Sequence, residues 1–171
     1  MFAVMPFSYG QLVCPPAGQV SPCTCTKNYN GLGIFCDSLN MNDLQMSNVL
    51  NSFLSPDVSP VVSFSAYNNL LTKIPTQIAS FTQLNQVQLS GNQITSIPTG
   101  AFNFVQSTSS NFYLYLFQNK ISTVQTGAFI FTSSPYNSSI SINLNNNQLT
   151  AMLPKSAIVS QSSIFCIFPS L

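Results

Sequence analysis

The sequence contains no histidine, no arginine and no glutamate. Its charged residues reduce to Lys27, Lys73, Lys120 and Lys155 with Asp37, Asp43 and Asp57, which is 4% of the chain against roughly a quarter in an ordinary soluble domain. Without histidine an imidazole base is excluded, and a paired-carboxylate mechanism would have to draw on three aspartates crowded into the first third of the chain. Those three read as turn and cap residues. A glycine-rich phosphate loop with its lysine is missing as well, so a nucleotide cradle has no basis. The chain therefore reads as non-enzymatic, with neither cofactor nor metal expected. A formal net charge of +1 produces no long-range field, so steering onto nucleic acid or anionic lipid is not expected either. No stretch approaches the roughly 18 continuous apolar residues of a membrane span, and no transmembrane segment is expected.

Apolar residues, by contrast, make up 45% of the 171 residues, enough to bury one sizeable core. The surface must then be built from Asn, Ser, Thr and Gln. Four of the five cysteines, Cys14, Cys23, Cys25 and Cys36, crowd into an N-terminal segment that begins CPPAGQVSPCTC. Zinc ligands usually come as CxxC pairs, and a CxC followed by a lone cysteine spaces a tetrahedral cage poorly. The cluster reads as a disulfide framework, which needs an oxidising compartment and implies a secreted or extracellular chain. The opening MFAVMPF is apolar, short and interrupted by Pro6, and reads as the remnant of a signal peptide at an incomplete N-terminus. A glycosylation sequon at Asn137 agrees with an extracellular setting.

A pattern recurs along the rest of the chain. LNQVQLSGNQITSIPTGAF places Leu84, Val87, Leu89 and Ile94 around Asn92, in the form LxxLxLxxNxL. The frame recurs with Leu114, Leu116, Asn119 and Ile121, then with Ile142, Leu144, Asn147 and Leu149. Upstream, Val61, Phe64, Ala66, Asn69 and Leu71 occupy the same slots. The asparagines stand 23, 27 and 28 residues apart. Each alternating apolar pair suits a short strand, with every second side chain directed into the core. A buried asparagine after the strand can satisfy backbone groups left without partners where the chain turns, so stacked asparagines should form a spine. The identical TGAF segments at 99–102 and 126–129 should make Phe102 and Phe129 cap the same core layer from the far side, in short helical or irregular turns.

With its cysteine cluster followed by LxxLxLxxNxI and IPxxAF units, the chain resembles the extracellular leucine-rich-repeat superfamily with a cysteine-rich N-terminal cap, over residues 14 to about 154. The resemblance implies an α/β repeat solenoid, a horseshoe segment with short parallel strands on the concave face and an irregular or short helical convex side. It also implies pairing of Cys14 with Cys25 and Cys23 with Cys36, although eight residues between the first two cysteines depart from the usual cap. A short helix over 42–55 resembles a group of crustacean secreted repeat proteins of the Oplophorus luciferin monooxygenase type, in which the repeat chain is a non-catalytic subunit. The expected organisation is a signal-peptide remnant at 1–13, the cap at 14–41, a short helical linker at 42–60, four repeats at 61–154, and an improvised or truncated end at 155–171 that holds the unpaired Cys166.

On this reading the outward strand positions form the recognition surface for a protein or glycan ligand. They are Ser65 and Tyr67; Gln88, Ser90 and Gln93; Tyr115, Phe117, Gln118 and Lys120; and Asn143, Asn145 and Gln148. Tyr67, Tyr115 and Phe117 are the aromatic anchors, because rings supply contact area at low entropy cost. Gln88, Gln118, Asn143 and Asn145 are the polar contacts around them, and Lys120 is an isolated solvated charge. The function expected is a secreted binding or scaffold module. The alternatives are a non-catalytic subunit of a secreted, luciferase-like oxidoreductase complex, implied by the resemblance, and an adhesive or matrix protein. A homo- or hetero-oligomer is compatible with all three.

Overall fold

Of the strong helix formers Arg and Glu are absent and Lys and Met sparse, while Val, Ile, Thr, Tyr and Phe recur in alternation with polar residues, so strands dominate. The computed structural model describes residues 12–28, 30–103, 111–131, 139–150, 153, 155–160 and 163–167. Asn137 lies outside the described residues, as do residues 1–11 and the side chain of Cys166.

Twelve strands and two α-helices form among the described residues. The strands are β1 (Thr24–Asn28), β2 (Gly31–Phe35), β3 (Val61–Ser65), β4 (Gln86–Gln88), β5 (Ser96–Ile97), β6 (Phe102–Asn103), β7 (Asn111–Tyr115), β8 (Thr123–Val124), β9 (Phe129–Phe131), β10 (Ser139–Asn143), β11 (Ile158–Ser160) and β12 (Ser163–Ile167). The helices are α1 (Ala17–Val20) and α2 (Asp43–Asn51). Seven strands make the main sheet, in the order β1-β2-β3-β4-β7-β10-β12, with β1 antiparallel to β2 and every later pair parallel. A three-stranded parallel sheet, β11-β9-β6, and a two-stranded one, β5-β8, supply the other layer. One continuous core joins them. It takes Ile34, Phe64, Val87, Leu114 and Ile142 from the main sheet and Ile97, Phe102, Val124 and Phe129 from the small ones.

The horseshoe expected from the sequence is corrected by this architecture. The main sheet is mixed rather than all parallel, the α-helices among the described residues are two and short, and the molecule is a small α/β domain. On the far side 99–101 and 126–128 are turns, as expected, and Thr76–Ser80 and Lys155–Ala157 are short 3-10 helices, but Phe102 and Phe129 themselves open the strands β6 and β9. Their rings are fully buried and stack at 5.6 Å with planes 8° apart. The physical reason is compositional. The crossing segments are rich in Thr, Ser, Ile, Val and Phe, which lose χ1 freedom or compete with the backbone in a helix, and they settle into short strands.

Helix α2 forms where the local signals are strong. Asn42 accepts from the Gln45 backbone N–H, and the Gln45 side chain accepts from the Asn42 N–H, so the first turn is capped in both directions. Met46, Val49 and Leu50 bury its inner side. Asp43, in its first turn, accepts from both the N–H and the hydroxyl of Thr72 and ties the helix to the turn after β3.

Two disulfides, Cys14–Cys25 and Cys23–Cys36, close around the antiparallel hairpin. They span 11 and 13 residues, loops for which cross-linking contributes roughly 3 kcal/mol each by limiting the unfolded chain. The Met41 sulfur packs 3.6 Å from Cys23 Sγ, a van der Waals contact, since a disulfide sulfur has no proton to share.

Beyond the hairpin, side-chain amides take over the work of holding turns. Asn92 Oδ1 accepts from the Leu71 N–H at 3.1 Å, and its Nδ2 donates to the carbonyls of Ala66 and Leu89 at 2.9 Å each. Asn119 bonds in the same way to Ile94, Leu89 and Leu116, and Asn147 to Ile121, Leu116 and Leu144. Asn69 accepts from Leu39 and Met41 and donates to the Cys36 carbonyl, which joins the hairpin to the parallel strands. In each case the residue before the asparagine is left-handed: Asn68, Gly91, Gln118 and Asn146, with φ between 55° and 69°.

Candidate functional site

Strand β7 reads Asn-Phe-Tyr-Leu-Tyr, and a period of two assigns its side chains to opposite faces. Phe112 and Leu114 are buried in the core, whereas Tyr113 is 39% exposed and Tyr115 is half-buried on the open face. Since the main sheet is in register across β3, β4, β7 and β10, these outward residues line up with their neighbours. One row runs Gly33, Ser63, Gln86, Tyr113, Ser141, and the next runs Phe35, Ser65, Gln88, Tyr115, Asn143.

A third row follows the strand ends. Backbone bonds from Ser38 to Tyr67, Asn68 to Ser90, Gly91 to Phe117 and Gln118 to Asn145 continue the ladder, setting Asp37, Tyr67, Ser90, Phe117 and Asn145 side by side. Ser90 is fully buried in this row, between two aromatic positions, and is not the surface residue that the sequence pattern suggests. Tyr67 leans toward the neighbouring turn: a Cβ at Gly91 would stand 3.3 Å from its ring. Gly33 has the same relation to Phe35, since a Cβ there would stand 2.8 Å from the Phe35 ring. Glycine at these two places lets large rings lie down on the sheet.

Gln88, Tyr115 and Asn143 are thus adjacent in one row, and Tyr67, Phe117 and Asn145 share the next. Gln118 stands apart from both, exposed in a left-handed turn with φ 55°. Lys120 and Gln93 also lie off the rows, joined by a 3.3 Å bond from Lys120 Nζ to Gln93 Oε1, and Gln148 is exposed. Several outward residues are held in place. Gln88 Oε1 accepts from the Ser90 N–H and Asn143 Oδ1 from the Asn145 N–H, both at 3.0 Å. Asp37, the acidic residue of the three rows, accepts from the Ser65 hydroxyl and, at 2.7 Å, from the Tyr67 N–H.

Tyr113, Gln86 and Phe35 belong to this surface, and sequence reasoning passed over them. Tyr113 was legible: the alternation that turns Tyr115 outward turns Tyr113 outward too. The rings of Tyr113 and Tyr115 lie parallel within 5°, with centroids 6.4 Å apart. Phe35 was hidden because its segment reads as part of a cysteine framework rather than as a strand of the main sheet.

A concavity of about 280 Å³ lies beside α2, lined by Asp43, Lys73 and Gln77 among others. Both carboxylate oxygens of Asp43 accept from Thr72, and Gln77 donates to Ser47 and Asn51 while its Oε1 is buried without a partner. Among the described residues, no group of three or more His, Cys, Asp or Glu side chains is placed to hold a metal ion, and no helix is long and apolar enough to cross a membrane. Comparison of the chain with protein-family models, with curated proteins and with solved structures finds no match in any of the three.

Proposed function

We propose that the chain is a binding module and that the open face of its main sheet is the recognition surface. The observation that carries this reading is the aromatic cluster of Tyr67, Tyr113, Tyr115 and Phe117, set among Gln, Asn and Ser on three in-register rows. Tyr, Ser, Asn and Gly are the residue types that recognition surfaces favour, since the rings give rigid contact area and the small polar groups adapt. Folding alone does not call for them. Large rings half-exposed to water contribute less burial than the same rings turned inward, so their concentration on the solvent side points to a partner that covers them.

The reading is of a non-enzymatic module, supported by a sequence without His, Arg or Glu and by the structural hydrogen bonds that Asp37 and Asp43 accept. Secretion is part of the same proposal, supported by the two disulfides, which persist in oxidising compartments. The partner is a protein or a glycan.

Affinity capture tests the proposal. Immobilised wild-type chain should retain at least one protein or polysaccharide that the folded double variant Tyr115→Ala, Phe117→Ala fails to retain. If both chains hold the same set with equal strength, the open face is not the binding surface.

A further inference from the structure

Resting on the open-face reading, we propose that the Tyr113–Tyr115 pair and the polar groups beside it bind a neutral polysaccharide. A pyranose ring has one face of C–H bonds and an edge of hydroxyls. The C–H face, carrying partial positive charge, settles on the negative face of an aromatic ring, and the hydroxyls each need both donors and acceptors. This part of the sheet supplies both. The two rings are parallel and stacked with centroids 6.4 Å apart along the strand, and together form one aromatic patch for a sugar to meet.

The hydrogen-bonding groups lie on either side. Gln86 and Ser141 are in register with Tyr113, while Gln88 and Asn143 are in register with Tyr115. The oxygens of Gln88 and Asn143 are already used by backbone N–H groups, which fixes the amides and assigns their NH2 groups to a ligand. Ser141 adds a hydroxyl that can donate or accept.

Charge decides between sugar classes. The two rows that hold the tyrosines carry no charged side chain from β2 to β10, and Asp37 in the adjoining row, whose Oδ1 accepts from Ser65 and Tyr67, is an anion that would repel an acidic chain. A sulfated or uronic-acid chain would bring anionic groups to a surface that offers them no cation, because Lys120 lies off the rows. A neutral chain requires none.

The test uses the full chain and named probes: soluble β-1,3-glucan, mannan and xylan in affinity electrophoresis, insoluble cellulose and chitin in sedimentation, and heparin as the anionic control. Wild type should be retained by at least one neutral polysaccharide, equally at low salt and at about 1 M NaCl, where the Debye length has shrunk to about 3 Å. Tyr113→Ala with Tyr115→Ala should weaken retention by about tenfold or more, whereas Tyr113→Phe with Tyr115→Phe, which keeps the rings, should hold it within about threefold. Retention by heparin alone, falling as salt rises, would overturn the proposal. If no neutral polysaccharide is retained while Tyr115→Ala, Phe117→Ala still loses a protein partner, the glycan assignment fails and the open-face reading stands. Retention of a neutral polysaccharide that survives both alanine pairs in folded protein removes both.

Discussion

The inner and outer faces of the main sheet are made by the same strands under opposite demands. Inward, β7 presents Phe112 and Leu114, 3% and 0% exposed, which meet Val87 and Ile142 from the neighbouring strands in one core. Outward, it presents Tyr113 and Tyr115 to solvent, beside Gln and Asn that bond only to their own turns. The inner face shows what the chain needs in order to fold. The outer face carries rings and amides that folding leaves free to vary, and this is where function has room to act.

The difference can be broken most forcefully from inside. Leu114→Ala should destabilise by about 3 to 4 kcal/mol, since a fully buried leucine leaves a cavity as well as losing its transfer energy. Denaturant unfolding of that variant beside Tyr115→Ala, expected to cost about 1 kcal/mol or less, would measure the contrast across one residue of strand. Asn92→Ala should come next, at about 3 kcal/mol, because it strands the Leu71 N–H and the Ala66 carbonyl in the interior, while the Leu89 carbonyl keeps its bond from Asn119. Its loss of protection in amide hydrogen exchange should begin at Leu71. The turns before the asparagines give the smallest effects and the sharpest sign test. Gly91→Ala should cost about 1 to 2 kcal/mol, because φ is +69° and the added methyl meets Asn68 and the Tyr67 ring at 3.3 Å. Gln118→Gly, at the equivalent place with φ 55°, should instead stabilise by about 0.5 kcal/mol, the relief of left-handed strain exceeding the added freedom of the unfolded chain. Thermal melts of the two variants, moving in opposite directions, would check it.

Much of the inner face was legible in the sequence. Val61, Phe64, Val87, Leu89, Leu114, Leu116, Ile142 and Leu144 follow a spacing whose meaning is set by strand geometry, and all are buried. The four asparagines were legible because a polar amide at a fixed place in an apolar frame must meet backbone groups, and their hydrogen bonds are of that kind. The overall class was misread. Local spacing says nothing about the antiparallel pair at the sheet's edge, and it cannot distinguish a crossing strand from an irregular turn when the segment is as short as TGAF. The stacking of Phe102 on Phe129 across 27 residues was legible, because two identical segments in the same frame put both rings in one core layer. On the open face, Tyr115, Gln88 and Asn143 could be placed by alternation, but their alignment in one row depends on register, which only pairing sets. Ser90 was misplaced because it lies beyond the end of β4, where alternation no longer assigns a face, and it is fully buried.

The central claim, that the open face serves recognition and not folding, is tested most directly by measuring stability and binding on one variant, Tyr115→Ala with Phe117→Ala. The account predicts unfolding free energy within about 2 kcal/mol of wild type together with loss of the captured partner. A destabilisation as large as that of Leu114→Ala, or wild-type capture by the folded double variant, would contradict it.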